Sequence, residues 1–272
     1  MTVLRSTPLR STAAIFMCAL MTAGSAFAGP PLATDDAGTV DVGTVEIELN
    51  GSYTYDKESA AGVTTKSSTS DAEMKITTGL CKNLGISLAI PYTISERVKE
   101  DDRLVGNADG FGDMTVELKY AFAELAGVSF AVKPSVIMPS GRYGAGLSKG
   151  RWQFGTTLIA TREFDEGAYA LHANLGYEHH GYRNDEVRES TRGNLWSGSI
   201  AGEAKLMKGL TAVLDFGVAT NPDKGSNDLP VYALAGARYE INDHLDANAG
   251  VKLGLTSPEE DVSVLYGLVL KF

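Results

Sequence analysis

Polar and apolar side chains alternate, residue by residue, in one segment after another along this sequence. From Thr44 to Tyr55, for example, the even-numbered positions are polar and the odd-numbered positions are apolar or glycine. Successive side chains of a β-strand point to opposite faces of the sheet. The pattern therefore predicts a strand with one polar face and one apolar face.

Twelve segments share this alternation. They lie at 44–55, 71–80, 86–94, 114–122, 128–136, 152–160, 169–177, 196–206, 210–218, 231–240, 245–255 and 261–272. Most are roughly ten residues long, the length a tilted strand needs to cross a bilayer, whereas strands of soluble proteins average about five or six residues. The sequence therefore predicts an all-β protein, a closed antiparallel transmembrane β-barrel of about twelve strands that spans 44–272.

The connections between these segments alternate in length. Short turns are predicted at 82–85, 124–127, 165–167, 207–209 and 242–244, and longer loops at 56–70, 96–111, 139–150, 181–193 and 220–228, with a shorter one at 256–260. Short turns at one end and long loops at the other are typical of outer-membrane barrels. With both termini in the periplasm, we expect the long loops outside the cell.

Aromatic side chains of the apolar face gather near the ends of the segments. Tyr53, Tyr55, Trp152, Phe154, Tyr177 and Trp196 lie on the long-loop side, and Phe122, Tyr169, Tyr239 and Phe272 on the short-turn side. Such rings form girdles at the two membrane interfaces. The alternative is a soluble β-sandwich with an aromatic core, which would explain neither the unequal loops nor the long strands.

The N-terminus has the layout of a cleavable signal peptide, with Arg5 and Arg10 before a short apolar stretch and small residues at 26–28. We expect cleavage after Ala28 and export to the bacterial outer membrane. The segment 29–43 is not strand-like, and we expect it to form a periplasmic segment or plug. Our hypothesis is that its acids enter the barrel mouth and meet basic residues such as Lys252 or Arg238.

Charge and cysteine content exclude some functions. Removing 1–28 takes away two of 24 basic residues and none of 34 acids, so the mature chain has 22 basic residues and a net charge of −12. Without a basic cluster, nucleic acid is not an expected partner. One cysteine, Cys81, remains, so no intramolecular disulfide can form.

The chain ends on alternating apolar residues. Tyr266, Leu268, Leu270 and Phe272 share one face of the last segment. A terminal aromatic in this register resembles the signal that the outer-membrane insertion machinery reads. That machinery and outer-membrane lipid are therefore the expected partners, together with a small solute that the sequence does not specify.

The polar face of each strand should point into the barrel, because a charge against lipid costs several kcal/mol near the midplane. The candidate pore-lining residues are Glu46, Glu48, Glu73, Lys75, Glu117, Lys119, Lys133, Glu203, Lys205, Asp215, Arg238, Glu240, Asp246 and Lys252. Both signs of charge occur. They predict either an ion-paired filling or a polar path whose charges tune selectivity.

Three short stretches resemble a known family. They are Pro31–Thr39 after the signal peptide, Gly110–Asp113 before the fourth segment, and Met138–Gly141 after the fifth. They are similar to bacterial outer-membrane barrels described as transporters of the MetA pathway of phenol degradation. The resemblance spans most of the mature chain. It implies a barrel that moves small compounds, aromatic ones among them, and it supplies no catalytic residues.

Catalysis is the remaining alternative, because some twelve-stranded barrels are lipid hydrolases. The chain has four histidines, His172, His179, His180 and His244, and no matched serine is evident beside them. We therefore expect no enzyme activity, no cofactor and no metal. The predicted function is passive or facilitated passage of small, aromatic or hydrophobic compounds. A structural or adhesive barrel without transport is the main alternative, and a lipid-modifying hydrolase is a second.

Overall fold

The computed structural model describes residues 31–60 and 62–272. The predicted signal peptide at 1–28 and its cleavage position therefore lie outside the described residues. Within them, no helix is long and apolar enough to cross a membrane.

The described chain forms thirteen β-strands joined by turns and loops. They are β1 (Val45–Ala60), β2 (Val63–Cys81), β3 (Leu84–Glu100), β4 (Arg103–Phe111), β5 (Thr115–Leu125), β6 (Val128–Ile137), β7 (Gln153–Phe164), β8 (Tyr169–His179), β9 (Asn194–Met207), β10 (Leu210–Ala219), β11 (Val231–Asn242), β12 (Leu245–Gly254) and β13 (Val262–Lys271). A short helix, α1 (Asp185–Ser190), lies between β8 and β9, and 3₁₀ turns occupy Tyr143–Ala145 and Asp165–Gly167.

Twelve of these strands close into an antiparallel ring. The first and last strands meet along a register that runs from Glu46 opposite Lys271 to Tyr55 opposite Val262. Every other strand of the ring pairs with its neighbours in chain order, except that β3 is followed by β5. The predicted closed antiparallel barrel of about twelve strands is confirmed, with one additional strand.

The additional strand, β4, extends the barrel wall beyond β5. The outer half of β3 pairs with β4, and its inner half pairs with β5. Between the two strands, Gly112–Met114 leave the sheet, and the side chain of Asp113 accepts a hydrogen bond from the Gly141 N–H at 2.9 Å. β4 and β5 are thus two parts of one wall position separated by a break.

Two predicted loops are instead long hairpins. Residues 56–60 and 63–70 belong to the ends of β1 and β2, and residues 96–100 and 103–111 belong to β3 and β4. The β3–β4 hairpin turns at Asp101 and Asp102, which both adopt positive φ. The loop prediction was wrong because these stretches are polar on both faces. They extend past the bilayer-length part of the barrel, where water on both sides removes the alternation.

The large apolar side chains on the outside of the ring are exposed. Leu158, Leu171, Ile200 and Leu214 each leave more than half of their surface uncovered. A water-soluble sandwich would bury these residues against a second sheet, whereas a single closed sheet turns them outward. The sandwich alternative is therefore wrong, and the exposed band has the character of a lipid-facing surface.

Candidate functional site in the barrel lumen

The N-terminal segment, residues 31–43, begins inside the barrel and leaves it before β1. Leu32 packs in a buried cluster with Val213 and Leu234 and with two further wall residues. Pro31 lies against Gly236, where a Cβ atom would come within 2.7 Å of the proline ring. Glycine on the wall therefore allows the segment to approach the strands closely.

Asp215 on β10 holds the segment by hydrogen bonds. Its buried carboxylate accepts from the backbone N–H groups of Ala33 and Thr34, each at 2.8 Å, and from the Thr34 hydroxyl at 2.7 Å. The hydroxyl of Tyr232 also donates to this carboxylate, at 3.2 Å. A single wall carboxylate thus accepts three hydrogen bonds from the segment.

Asp35 places a carboxylate among lysines on the opposite wall. Its two oxygens lie 2.8 Å from Lys119 Nζ and 2.9 Å from Lys133 Nζ. Glu117 in turn lies 3.4 Å from Lys133 Nζ and 3.3 Å from Lys75 Nζ. A chain of alternating charges therefore links the segment to β2, β5 and β6.

The segment leaves the lumen at the short-turn end. The Ala37 N–H donates to the Thr161 hydroxyl at 2.8 Å, and that hydroxyl lies 3.0 Å from His172 Nδ1. Further along, the carbonyl groups of Val40 and Asp41 lie against Gly79 so closely that a Cβ atom there would collide with both. The chain then enters β1.

Most predicted pore-lining residues are buried or half-buried on the inner face of the wall. These are Glu46, Glu48, Glu73, Lys75, Glu117, Lys119, Lys133, Glu203, Asp215, Arg238, Asp246 and Lys252, whereas Lys205 and Glu240 are exposed beside short turns. Several are ion-paired, such as Arg238 with Glu203 at 3.0 Å and Lys252 with Glu259 at 2.7 Å.

The expected partners of the N-terminal segment were wrong. Arg238 and Lys252 are paired with wall and loop acids, and Asp35 contacts Lys119 and Lys133 instead. An acid of the segment does meet basic lumen residues, as expected, but the particular partners of Asp35 were not predicted, because nothing in its sequence spacing indicates which strands it faces. Its position immediately before Asp36, in a segment without alternation, was the only available signal.

A cavity of about 530 Å³ occupies the long-loop half of the lumen. Pro31 and Ala33 line it on the side of the N-terminal segment. Around it lie polar wall residues such as Asn50 and Asn248, together with loop residues that include Lys149 and Tyr182. Its volume falls within the range of about 300–1,000 Å³ that is usual for small-molecule sites.

Lys149 forms a buried cluster at this cavity with residues that sequence reasoning did not select. Its ammonium nitrogen lies 2.9 Å from Gln153 Oε1 and 2.8 Å from His180 Nδ1, and His180 Nε2 lies 2.6 Å from Glu178 Oε2. Burial lowers the pKa of Lys149 to about 8 and also lowers the pKa of His180. Burial raises the pKa of Tyr182, beside them, to about 12.

Of the four histidines, His180 alone lines the lumenal cavity, where it contacts Lys149 and Glu178. His172 contacts the Thr161 hydroxyl and lies 3.9 Å from Glu203, but neither His172 nor Thr161 lines the cavity. His179 and His244 contact Asn194 and a backbone carbonyl. Among residues 31–60 and 62–272, no group of three or more His, Cys, Asp or Glu side chains could hold a metal ion.

The closed ring, its apolar outer surface and its charged interior define the class of outer-membrane-type β-barrels. The family model described as "Putative MetA-pathway of phenol degradation" matches residues 36–272. The chain belongs to this family, as the resemblance of its short motifs predicted.

Solved structures show the same fold at low sequence identity. An outer-membrane channel of the COG4313 group from Pseudomonas putida F1 superposes with a TM-score of 0.71 at 14% identity, over 87% of this chain and 98% of that one. The NanC porin gives 0.58 at 10% identity, over 83% and 100% of the two chains. The translocator domain of the autotransporter NalP from Neisseria meningitidis gives 0.52 at 12%, over 85% and 90%. Comparison with curated proteins gives no match.

Proposed function

We propose that this chain is an outer-membrane barrel through which small compounds, including aromatic or hydrophobic ones, pass passively or by facilitated diffusion. The observation that carries the proposal is the cavity of about 530 Å³ inside the lumen, which the N-terminal segment borders on one side. A barrel that served only as a scaffold would need no such space. The solved barrels described as a channel and a porin support the same class of function.

The proposed location follows from the chain's predicted route. A signal peptide at 1–28 directs export, and the terminal residues Tyr266, Leu268, Leu270 and Phe272 engage the outer-membrane insertion machinery. The short turns then face the periplasm and the long loops face the outside. In this orientation the cavity lies on the extracellular side of the N-terminal segment.

Passage requires displacement of the N-terminal segment. Asp215 and the Asp35–Lys119–Lys133 contacts hold it from two walls, and these contacts are polar. Polar contacts can exchange with water when the segment moves, and the apolar packing that must also be broken is confined to small clusters, such as that of Leu32 with Val213 and Leu234. The segment therefore acts as a plug that regulates passage.

Liposome swelling with small solutes, aromatic acids included, tests passage by the purified full chain. Single-channel conductance in a planar bilayer tests the plug, since deletion of 29–42 should raise the conductance. Asp185→Asn, an exposed change on α1, serves as the control and should leave conductance at the wild-type value. Unchanged conductance in the deletion variant would refute the plug, and absence of swelling for every solute would refute passage.

A structural or adhesive barrel is the second candidate, favoured by the two long hairpins. The ends of β1 and β2 and the β3–β4 hairpin pair with each other from Thr65 opposite Glu100 onward, so they form one projecting sheet. Such a barrel would show no swelling while retaining binding through the hairpins.

We propose no catalytic activity. The nearest approach to a nucleophile and base is the contact between Thr161 and His172, and both side chains are buried, with the N-terminal segment held against Thr161 by the Ala37 N–H. A lipid hydrolase would instead need its nucleophile accessible to substrate. Turnover of a phospholipid that is lost in His172→Ala would overturn this conclusion.

A further inference from the structure

Lys149 differs from the other lysines that border the lumenal cavity. Lys133 lies 2.9 Å from Asp35, and Lys252 lies 2.7 Å from Glu259, so both are neutralised by direct ion pairs. The nitrogen of Lys149 contacts only the neutral acceptors Gln153 Oε1 and His180 Nδ1 within the described chain. It is a buried ammonium group without a bound carboxylate.

The nearest carboxylates are held away from this nitrogen. Asp113 accepts hydrogen bonds from the backbone N–H groups of Gly141 at 2.9 Å and Lys149 at 3.2 Å. Glu178 is bound to His180 Nε2 at 2.6 Å. Because a buried charge without a partner is costly, an ammonium kept in this state beside a cavity is suited to receive an anion from outside.

The surroundings of Lys149 favour an anion that carries an apolar body. Only 9% of the Lys149 surface is exposed, so water screens its charge weakly. Ile137 and Leu147 line the same cavity, and the Tyr182 ring centre lies 5.8 Å from the ammonium nitrogen. Elsewhere the cavity carries acids, including Asp71, which would repel a second negative charge on the solute.

We propose that Lys149 is the binding residue for the carboxylate of a small organic monocarboxylate with an apolar body, held in the lumenal cavity. The carboxylate takes a charge-assisted hydrogen bond from Nζ, and Gln153 and His180 orient that nitrogen. This inference rests on the proposed passage of small solutes, and it names the class that the cavity retains.

Benzoate and its neutral counterpart benzamide are suitable probes, measured by calorimetric titration of the purified full chain at pH 7. Benzoate should bind at least tenfold more tightly than benzamide, since a hydrogen bond to a charged group contributes about 1.5–3 kcal/mol, which corresponds to roughly 10- to 100-fold in affinity. Lys149→Met should abolish this preference. Lys208→Met, a change at an exposed turn lysine, should retain it.

The pH profile of the wild-type protein provides a test that needs no variant. Benzoate affinity should fall about tenfold between pH 7 and pH 9, because Lys149, with its pKa near 8, loses its proton in this interval. The groups that face it do not reverse the trend. Glu178 and Asp113 are carboxyl groups and cannot gain positive charge as the pH rises, and the pKa of His180 is lowered from its usual value. The pKa of Tyr182, about 12, lies above this pH interval. Benzamide affinity should stay constant.

Two results would overturn the inference: equal affinity of the wild-type protein for benzoate and benzamide, or a benzoate preference that survives in Lys149→Met. If that variant does not fold, a benzoate affinity of the wild-type protein that stays constant from pH 7 to pH 9 would overturn the inference instead. Liposome swelling by benzamide reports on passage alone. Its absence would reject the proposed function while leaving the carboxylate site to be judged by binding.

Discussion

Replacing Asp215 with alanine should loosen the N-terminal segment without opening the barrel wall. The carboxylate accepts hydrogen bonds from the N–H groups of Ala33 and Thr34 and from the Thr34 hydroxyl. Each such bond to a charged acceptor contributes about 1.5–3 kcal/mol, but bonds that share one carboxylate are not additive. We therefore expect the free energy that holds the segment to fall by about 3 kcal/mol, a factor of more than 100 in the docked-to-undocked ratio.

Amide hydrogen exchange followed by mass spectrometry measures this opening directly. In Asp215→Ala, the peptide that contains Ala33 and Thr34 should exchange about 100-fold faster than in the wild type. Peptides from β12 should keep their protection, because the wall remains paired. Asp185→Ala, on the exposed helix α1, is the matched control. An unchanged exchange rate at Thr34 would show that Asp215 does not hold the segment.

Three further changes test other parts of the structure. Gly79→Ala should lower the free energy of unfolding by about 1–3 kcal/mol in urea titration, because its Cβ would meet backbone oxygens. Gly198→Ala, with open space around the glycine, should leave that free energy unchanged, and equal effects of the two changes would contradict the close contact at Gly79. Ile200→Arg on the outer face should cost about 2–4 kcal/mol in refolding into vesicles, and a negligible cost relative to Ile200→Leu would argue against lipid contact. Asn184→Ala removes the N-cap of α1 and should destabilise the helix by about 1 kcal/mol, so the rate of hydrogen exchange at the Glu186 amide should rise roughly fivefold. An unchanged rate would mean that the cap does not stabilise the helix.

The barrel was predictable because lipid imposes a strict pattern on its strands. Wherever one face meets lipid and the other meets the lumen, as along β1 up to Tyr55, polarity alternates with period two. Beyond Tyr55 the strand continues to Ala60 in water, and the pattern stops although the sheet does not. The boundaries of the hairpins therefore could not be read from alternation.

The contacts of the lumen were less predictable than its lining. Alternation assigns Lys119 and Lys133 to the inner face, but which acid meets them depends on strand register and on the path of the N-terminal segment. Lys149 and His180 are 31 residues apart in sequence and meet only because two loops close over the same cavity. No periodic pattern in the sequence indicates such a long-range contact.

The position of the N-terminal segment restricts the order of assembly. The segment runs directly into β1, and the β1–β13 seam is what closes the ring. Its contacts lie on walls as far apart in the chain as Lys119 and Asp215, so they exist together only once most strands have been laid down. The seam must therefore close with the segment already inside, or the segment must thread into a finished cylinder through its end.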